Sequence, residues 1–131
     1  MKIILMKKEK KASIPLVYSC SGSSNLAQIT NQVSVELSRD GFAEMSCIAG
    51  VGGGVPSLVR KAKSGRYIIA LDGCSLQCVK TCLSKQDVLP SKHYILTKFG
   101  LRKKLNCECE YDSKDVHLIK KKIESDYEAA V

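Results

Sequence analysis

Hydrophobic residues recur along this chain in two alternating patterns: short apolar runs, and longer stripes with helical spacing. Short apolar runs rich in β-branched residues are typical of buried strands. Four such runs predict strands, and they are Ile14–Cys20, Phe42–Ile48, Arg66–Leu71 and His93–Thr97.

The segments between and after these runs carry helix signals. Ser24 or Asn25 is a good N-cap for the first helix, which is expected to end at Asp40-Gly41. Its apolar stripe consists of Leu26, Ile29, Val33 and Leu37. Further helices are expected over Val55–Ser64, from about Cys74 to Lys85, and from Asp112 or Ser113 onward, the last with a stripe of Val116, Ile119, Ile123 and Tyr127.

Strands that alternate with helices through short turns form right-handed βαβ crossovers. The pattern therefore predicts an α/β fold: a single three-layer α/β/α domain with a four-stranded, mostly parallel sheet of Rossmann-like or flavodoxin-like type. Residues 1–131 are expected to form this one domain, because no linker or low-complexity segment divides them. Residues 1–12 are interpreted as a basic tail or a short extra strand.

The apolar segments also bear on the compartment. No apolar run approaches the roughly 20 residues that a membrane helix needs. Ile3–Met6 is too short for the apolar part of a signal peptide, which takes about 7–15 residues. We therefore expect a cytoplasmic protein, in which seven cysteines favour metal or thiol chemistry over disulfides.

The chain carries a formal net charge of +8, which raises the question of an anionic partner. Basic residues cluster at Lys7–Lys11, Lys98–Lys104 and Lys120–Lys122. These clusters lack interleaved aromatic residues, and two Phe, five Tyr and no Trp leave few platforms for stacking bases. We expect a solvated lysine-rich surface, with neither nucleic acid nor a membrane as partner.

Three cysteines fall at corresponding places in three consecutive predicted strand–helix units. Cys20, Cys47 and Cys74 each lie at or just past the end of a strand. The carboxyl ends of parallel strands meet at one edge of the sheet, where ligands bind at the point at which strand order reverses. Cys78, one helical turn after Cys74, is expected to face the same point. Four converging thiolates suit tetrahedral Zn²⁺, while a thiol redox or sensing centre and inert core packing are the alternatives.

Three stretches of the chain resemble a known family. The segments YSCSGSSNLAQ, MSCIAGVGGGVPSLVRKAKS and LDGCSLQC are similar to those of the DGC domain family, over roughly Pro15–Gly100. The family's cysteines are inferred to form a zinc site. The resemblance implies Cys20, Cys47, Cys74 and Cys78 as its ligands here, with Cys82 as an additional or alternative one. Ser23 stands where the family's first loop often carries a second cysteine, and the family's activity is poorly defined.

Several residues beside the cysteines are candidates for contacts with a small ligand or for support of a metal. They are Ser21, Gly22, Ser23, Ser24, Asn25, Gly52, Gly53 and Asp72. The serine-rich loop offers backbone amides at a helix start, which suits an anion. The two glycines either let the backbone pass close to a ligand or give turn flexibility. Asp72 either orients a metal ligand, acts as a base, or shapes the Asp-Gly turn.

Common nucleotide and phosphatase motifs do not fit this chain. Val55 stands where the dinucleotide fingerprint needs its third glycine, and no Gly-Lys-Ser/Thr triplet is present. Leu26 stands where the loop of a cysteine-dependent phosphatase needs an arginine to hold phosphoryl oxygens.

The remaining candidate side chains are less informative. His93 and His117 are expected at surface or hydrogen-bonded core positions rather than on a metal. Cys107 and Cys109 are either extra ligands or exposed thiols. The expected function is a zinc-binding protein that engages a metal ion and, as further candidates, a small molecule or a protein partner. A metal- or thiolate-dependent enzyme acting on a small molecule and a thiol redox sensor are the alternatives.

Overall fold

Four parallel strands form one sheet in the computed structural model, which describes residues 14–104 and 110–131. They are β1 (Leu16–Ser19), β2 (Glu44–Met45), β3 (Ile68–Asp72) and β4 (Lys92–Ile95). Their order across the sheet is β2-β1-β3-β4, and each neighbouring pair is parallel. The predicted parallel sheet is confirmed.

Helices cover both faces of this sheet. They are α1 (Asn25–Arg39), α2 (Ile48–Gly52), α3 (Pro56–Ala62), α4 (Cys78–Lys85) and α5 (Ser113–Ala130), with a 3₁₀ turn at Leu96–Phe99. The helices α1 and α5 pack together on one face, and α2, α3 and α4 lie on the other. The three-layer α/β/α arrangement predicted from the sequence is therefore confirmed.

The alternation of side chains along the strands divides the core into two clusters. Val17, Ile69 and Leu71 point toward α1 and α5, whereas Leu16 and Ala70 point toward α2, α3 and α4. Such continuous apolar strands are typical of parallel sheets that are buried on both faces.

The two long helices form as their sequences predict. Ser24 caps α1 by accepting a hydrogen bond from the Ala27 N–H at 3.0 Å, and Asp112 caps α5 through the Lys114 N–H at 2.9 Å. The buried stripe residues of these helices are Leu26, Ile29, Val33, Leu37, Val116, Ile119 and Ile123. Tyr127 completes the stripe with edge-on ring contacts to Phe42 and Tyr67.

The glycine-rich segment after β2 differs from the prediction. The strand expected over Phe42–Ile48 is reduced to the two residues of β2, and Ile48–Gly52 forms the short helix α2. Val51 is fully buried, so one turn of helix gains an apolar contact that an open loop would lose. Gly50 lacks a side chain where that of Leu58 packs directly against its backbone.

The strand order creates a crevice at the carboxyl edge of the sheet. The chain passes from β1 outward to β2 and then returns across β1 to form β3 on its other side. Ligands in open α/β sheets bind outside the carboxyl ends of strands at such a reversal, here between β1 and β3. No helix in the two described ranges, 14–104 and 110–131, is long and apolar enough to cross a membrane.

Candidate functional site

A cavity of about 240 Å³ lies at the carboxyl ends of β1 and β3. Its walls come mainly from the loop between β1 and α1 and the loop between β3 and α4. Three of the predicted metal ligands, Cys20, Cys74 and Cys78, line this cavity together with Asp72. The structure therefore brings these thiols to the crevice that the strand order creates.

Cys20 is held in place by two hydrogen bonds. Its sulfur lies 3.2 Å from Thr30 Oγ1, and the Gly73 backbone N–H donates to the same sulfur at 3.3 Å. The Thr30 hydroxyl is also within hydrogen-bond distance of the carbonyl oxygens of Cys20 and Ala27, at 2.9 and 2.8 Å. Burial raises the pKa of the Cys20 thiol, which favours its protonated form.

Asp72 is buried behind the cavity and accepts three hydrogen bonds. Its Oδ1 accepts from the Val79 N–H at 2.8 Å, and its Oδ2 accepts from the Lys80 N–H at 3.3 Å and from His93 Nε2 at 2.7 Å. Only 1% of Asp72 is exposed. The carboxylate therefore caps α4 from the end of β3, a role beyond turn formation, and His93 is a hydrogen-bonded side chain as expected.

The start of α4 differs from the prediction. The helix expected from about Cys74 begins at Cys78, and Cys74 lies in the preceding loop. Gln77 occupies the N-cap position with a φ of 55° and makes no side-chain cap bond, because Asp72 already receives the free amides. Cys78 and Cys82 are one turn apart on α4, but Cys74 is not one helical turn before Cys78, because it lies outside the helix.

Each residue of the Asp72-Gly73-Cys74 motif has a distinct structural position. Asp72 caps α4, and Cys74 lines the cavity. A Cβ atom at Gly73 would lie 2.8 Å from Leu26 Cβ and 3.2 Å from the nitrogen of Ala27. A glycine is required here because the loop rests directly on the first turn of α1.

Two other candidate ligands lie apart from the cavity. Cys47 is exposed at the N-cap position of α2 and lines a separate pocket of about 370 Å³ with Ser46 and Ile48. The Cys82 sulfur faces α2, where a Cβ at Gly52 would lie 2.7 Å from it. Burial raises the pKa of the Cys82 thiol.

The remaining candidates are distributed around the same edge. Ser21, Gly22, Ser23 and Ser24 line the cavity. Gly53 closes α2 by donating its N–H to the Ala49 carbonyl oxygen at 2.9 Å. His117 is exposed on α5, while Cys107 and Cys109 lie outside the described residues.

Asn25 joins the start of α1 to a distant segment. Its Nδ2 donates to the Arg102 carbonyl oxygen, and its Oδ1 accepts from the Lys104 N–H, both at 3.0 Å. Lys103, between these two contacts, lines the cavity. The predicted anion loop is therefore partly a structural anchor, and it brings a lysine to the site.

Sequence reasoning missed Thr30, Lys103 and the pairing of His93 with Asp72. Thr30 carries a detectable signal, because it is a polar residue four positions after Leu26 on the buried stripe of α1. The position of Lys103 at the cavity and the pairing of His93 with Asp72 both depend on residues far apart in the chain. The sequence pattern carries no sign of them.

The donor chemistry of the cavity suits a thiophilic metal, since Cys20, Cys74 and Cys78 are thiol ligands of the type that zinc prefers. Within residues 14–104 and 110–131, no three His, Cys, Asp or Glu side chains are grouped closely enough to hold a metal ion. The thiols thus line one cavity without adopting a ligating arrangement in this part of the chain.

Comparisons with known proteins identify the family of this chain. Residues 16–123 match the DGC domain family. The chain is also similar to the anaerobic and virulence modulator AnvM of Pseudomonas aeruginosa, with 57% identity over 97 residues, which is 74% of each chain. No solved structure gives a significant match.

Proposed function

Because the chain belongs to the DGC domain family, we propose that it is a cytoplasmic regulatory protein whose cysteine-lined cavity binds zinc. The observation that carries this proposal is the position of Cys20, Cys74 and Cys78 around one cavity at the carboxyl edge of the sheet. The regulatory role is supported by a relative at 57% identity that is named as a modulator.

Cys20, Cys74 and Cys78 are the proposed core ligands. Cys47 is the proposed fourth ligand, and Cys82 is its alternative. Cys47 and Cys74 both lie outside regular strands, at the start of α2 and in the loop before α4. Ligation therefore requires rearrangement of loops rather than of the sheet.

Residues around the cavity orient the proposed ligand sulfurs and determine how readily the Cys20 thiol loses its proton. Thr30 and Gly73 fix the Cys20 sulfur, while Asp72 fixes the helix that carries Cys78. Since burial raises the pKa of Cys20, zinc has to displace a proton from this thiol. Zinc affinity is therefore expected to increase with pH.

A regulatory effect follows from the position of the ligands. Cys20 lies just after β1, Cys74 lies after β3, and Cys78 begins α4. Zinc held by all three would tie these elements together, and the surface around the cavity would differ between the zinc-bound and zinc-free protein. A protein partner or a small molecule that recognises this surface would then respond to zinc.

The test uses the full chain purified without added metal. Zinc content is measured by mass spectrometry, and X-ray absorption at the zinc edge counts the sulfur ligands. About one zinc per chain with four sulfurs supports a closed regulatory site, because catalytic zinc keeps a position for water. Three sulfurs and one oxygen would favour an enzyme, and failure to retain or take up zinc would overturn the proposal.

A thiol redox sensor is the second candidate function. The full name of AnvM includes the word anaerobic, and Cys78 is exposed at the start of α4 beside the cavity. Metal-free protein with reversible oxidation of Cys74 or Cys78 by peroxide would support this function in place of zinc binding. Mass spectrometry after treatment with peroxide and then dithiothreitol measures this reversible oxidation and distinguishes a redox sensor from a zinc-binding protein.

A further inference from the structure

A chain of hydrogen bonds runs behind the cavity from β4 to α4. His93 Nε2 lies 2.7 Å from Asp72 Oδ2, and Asp72 accepts the N–H groups of Val79 and Lys80. The Asp72 side chain is 1% exposed and that of His93 is 17% exposed, so the contact is largely shielded from water. His93 is not among the residues that line the cavity.

We propose that His93 is a positioning residue for the thiol cavity. His93 holds Asp72 against the start of α4, and Asp72 in turn fixes the helix end that carries Cys78. This inference rests on the proposed function in taking the cavity as the working site. It goes beyond that function by assigning a role to a residue on β4, outside the cavity wall.

The register of the sheet explains why His93 can reach Asp72. His93 lies opposite Ala70 on β3, and Asp72 lies two residues further along the same strand. Side chains two residues apart on a strand point to the same face, so both point toward α4. His93 therefore meets the carboxylate on the face where the helix begins.

The capping of α4 depends on this carboxylate. The helix has eight residues, and Gln77 at its N-cap position makes no side-chain cap bond. The Val79 and Lys80 amides therefore have Asp72 as their acceptor. Without the His93 N–H, Oδ2 loses its shortest contact, and the carboxylate is free to rotate away from these amides.

A buried carboxylate oxygen that loses a donor bears the cost of its desolvation. The same carboxylate lines the cavity, where rotation would place its charge nearer to the thiols. We expect loss of the His93 donor both to loosen the first turn of α4 and to weaken metal binding through Cys78. Outer-shell partners of metal ligands typically contribute about 10–100-fold in metal affinity.

The experiment compares His93→Phe, which keeps a planar ring without a donor, with His93→Gln, which restores an N–H group. His117→Phe is the matched control, because His117 is exposed on α5. Amide hydrogen exchange at Val79 and Lys80 is measured in the metal-free chain, and zinc affinity is measured separately by competition with a chelator.

His93→Phe is expected to speed exchange at both amides by about tenfold and to weaken zinc binding by about 10–100-fold. His93→Gln is expected to restore both values to within about threefold of the unsubstituted protein, and His117→Phe to change neither. If His93→Phe does not fold, His93→Met replaces it as the variant without a donor.

Unchanged exchange in the variant without a donor would overturn the role of His93. Equal effects of His93→Phe and His93→Gln would also overturn it, because ring packing rather than the hydrogen bond would then matter. If the unsubstituted protein takes up no zinc, the proposed function fails, while the exchange measurement still decides whether His93 positions α4.

Discussion

The Gly73 backbone N–H donates a hydrogen bond to the Cys20 sulfur at 3.3 Å. This bond joins the loop after β3 to the end of β1, so residues from two neighbouring strand ends fix the position of one thiol. It requires the loop to lie against the first turn of α1, where only a glycine leaves enough space.

Replacing Gly73 with Ala is therefore expected to destabilise the fold and disturb Cys20. The added Cβ would lie 2.8 Å from Leu26 Cβ, an overpacking that typically costs about 1–3 kcal/mol. Urea unfolding measures the stability, and alkylation followed by peptide mass spectrometry measures the reactivity of Cys20.

Gly65→Ala is the matched control, because Gly65 has a φ of +84° but open space around it. Its backbone strain is expected to lower stability without altering Cys20. A change in Cys20 alkylation of similar size in both variants would refute the specific role of Gly73.

Thr30→Val tests the partner of Cys20 on α1. Val keeps the shape of Thr but removes the hydroxyl, which lies 3.2 Å from the Cys20 sulfur and close to two carbonyl oxygens, and which can donate its hydrogen to the thiolate. Because the Thr30 hydrogen bond lowers the pKa of Cys20 against the larger effect of burial, its loss is expected to raise that pKa further. Cys20 should then be alkylated more slowly at pH 8, and unfolding should require about 1–3 kcal/mol less free energy.

Thr81→Val serves as the control for this substitution. The Thr81 hydroxyl donates to the Gln77 carbonyl oxygen at an exposed position on α4. Little change in stability or in Cys20 alkylation is expected. Faster alkylation of Cys20 in Thr30→Val would show that the hydroxyl does not stabilise the thiolate.

The strands other than β2 and the two long helices were predictable because their signals are local. The stripe of α1 and the caps Ser24 and Asp112 depend on residues within one or two turns. The start of α4 was not predictable from such signals, since Asp72 on β3 supplies its cap. A local pattern favoured a helix that included Cys74.

The sequence predicted that the candidate site lies at the carboxyl edge of the sheet, but it did not predict the positions of the individual cysteines there. Cys20, Cys47 and Cys74 do follow strands, as the alternating pattern predicted. Their directions beyond the strand ends depend on loops that rest on other elements, as Gly73 rests on α1. Cys47 lies at the N-cap position of α2 and lines another pocket, because its segment continues into a helix that buries Val51.

Asn25→Ala tests the anchor that brings Lys103 to the cavity. The substitution removes both hydrogen bonds to the Arg102–Lys104 segment. Trypsin is expected to cleave after residues 102–104 several-fold faster, because protease access requires the segment to leave its anchor. Asn31→Ala, on the same helix beside the separate pocket, is the control, and equal cleavage rates in the two variants would contradict the anchor.

The contact between Tyr94 and Asp126 predicts a dependence of stability on pH. The Tyr94 hydroxyl donates to Asp126 Oδ2 at 2.7 Å, and this hydrogen bond is the main cause of the lowered pKa of Asp126. A carboxyl group whose folded pKa is lowered stabilises the fold above its unfolded pKa, and this stabilisation is lost as pH falls through the folded pKa.

Tyr94→Phe is therefore expected to lower the free energy of unfolding by about 1 kcal/mol at pH 7. The difference from the unsubstituted protein should shrink as pH falls below the ordinary Asp range, near 4. Urea unfolding at pH 7 and pH 3 checks both expectations. A difference that grows toward pH 3 would show that the hydrogen bond does not act through the ionised carboxylate.

Zinc retention in single Cys→Ser variants tests whether zinc binds in the cysteine-lined cavity. Cys20→Ser, Cys74→Ser and Cys78→Ser each remove a thiol from the cavity wall, and Cys109→Ser is the control. Zinc per chain is measured after dialysis against a fixed concentration of chelator. We predict about one zinc per chain in the unsubstituted protein and in Cys109→Ser, and loss of most zinc in the three cavity variants. Equal retention in all four variants, or no zinc in the unsubstituted protein, would mean that the cavity does not bind zinc.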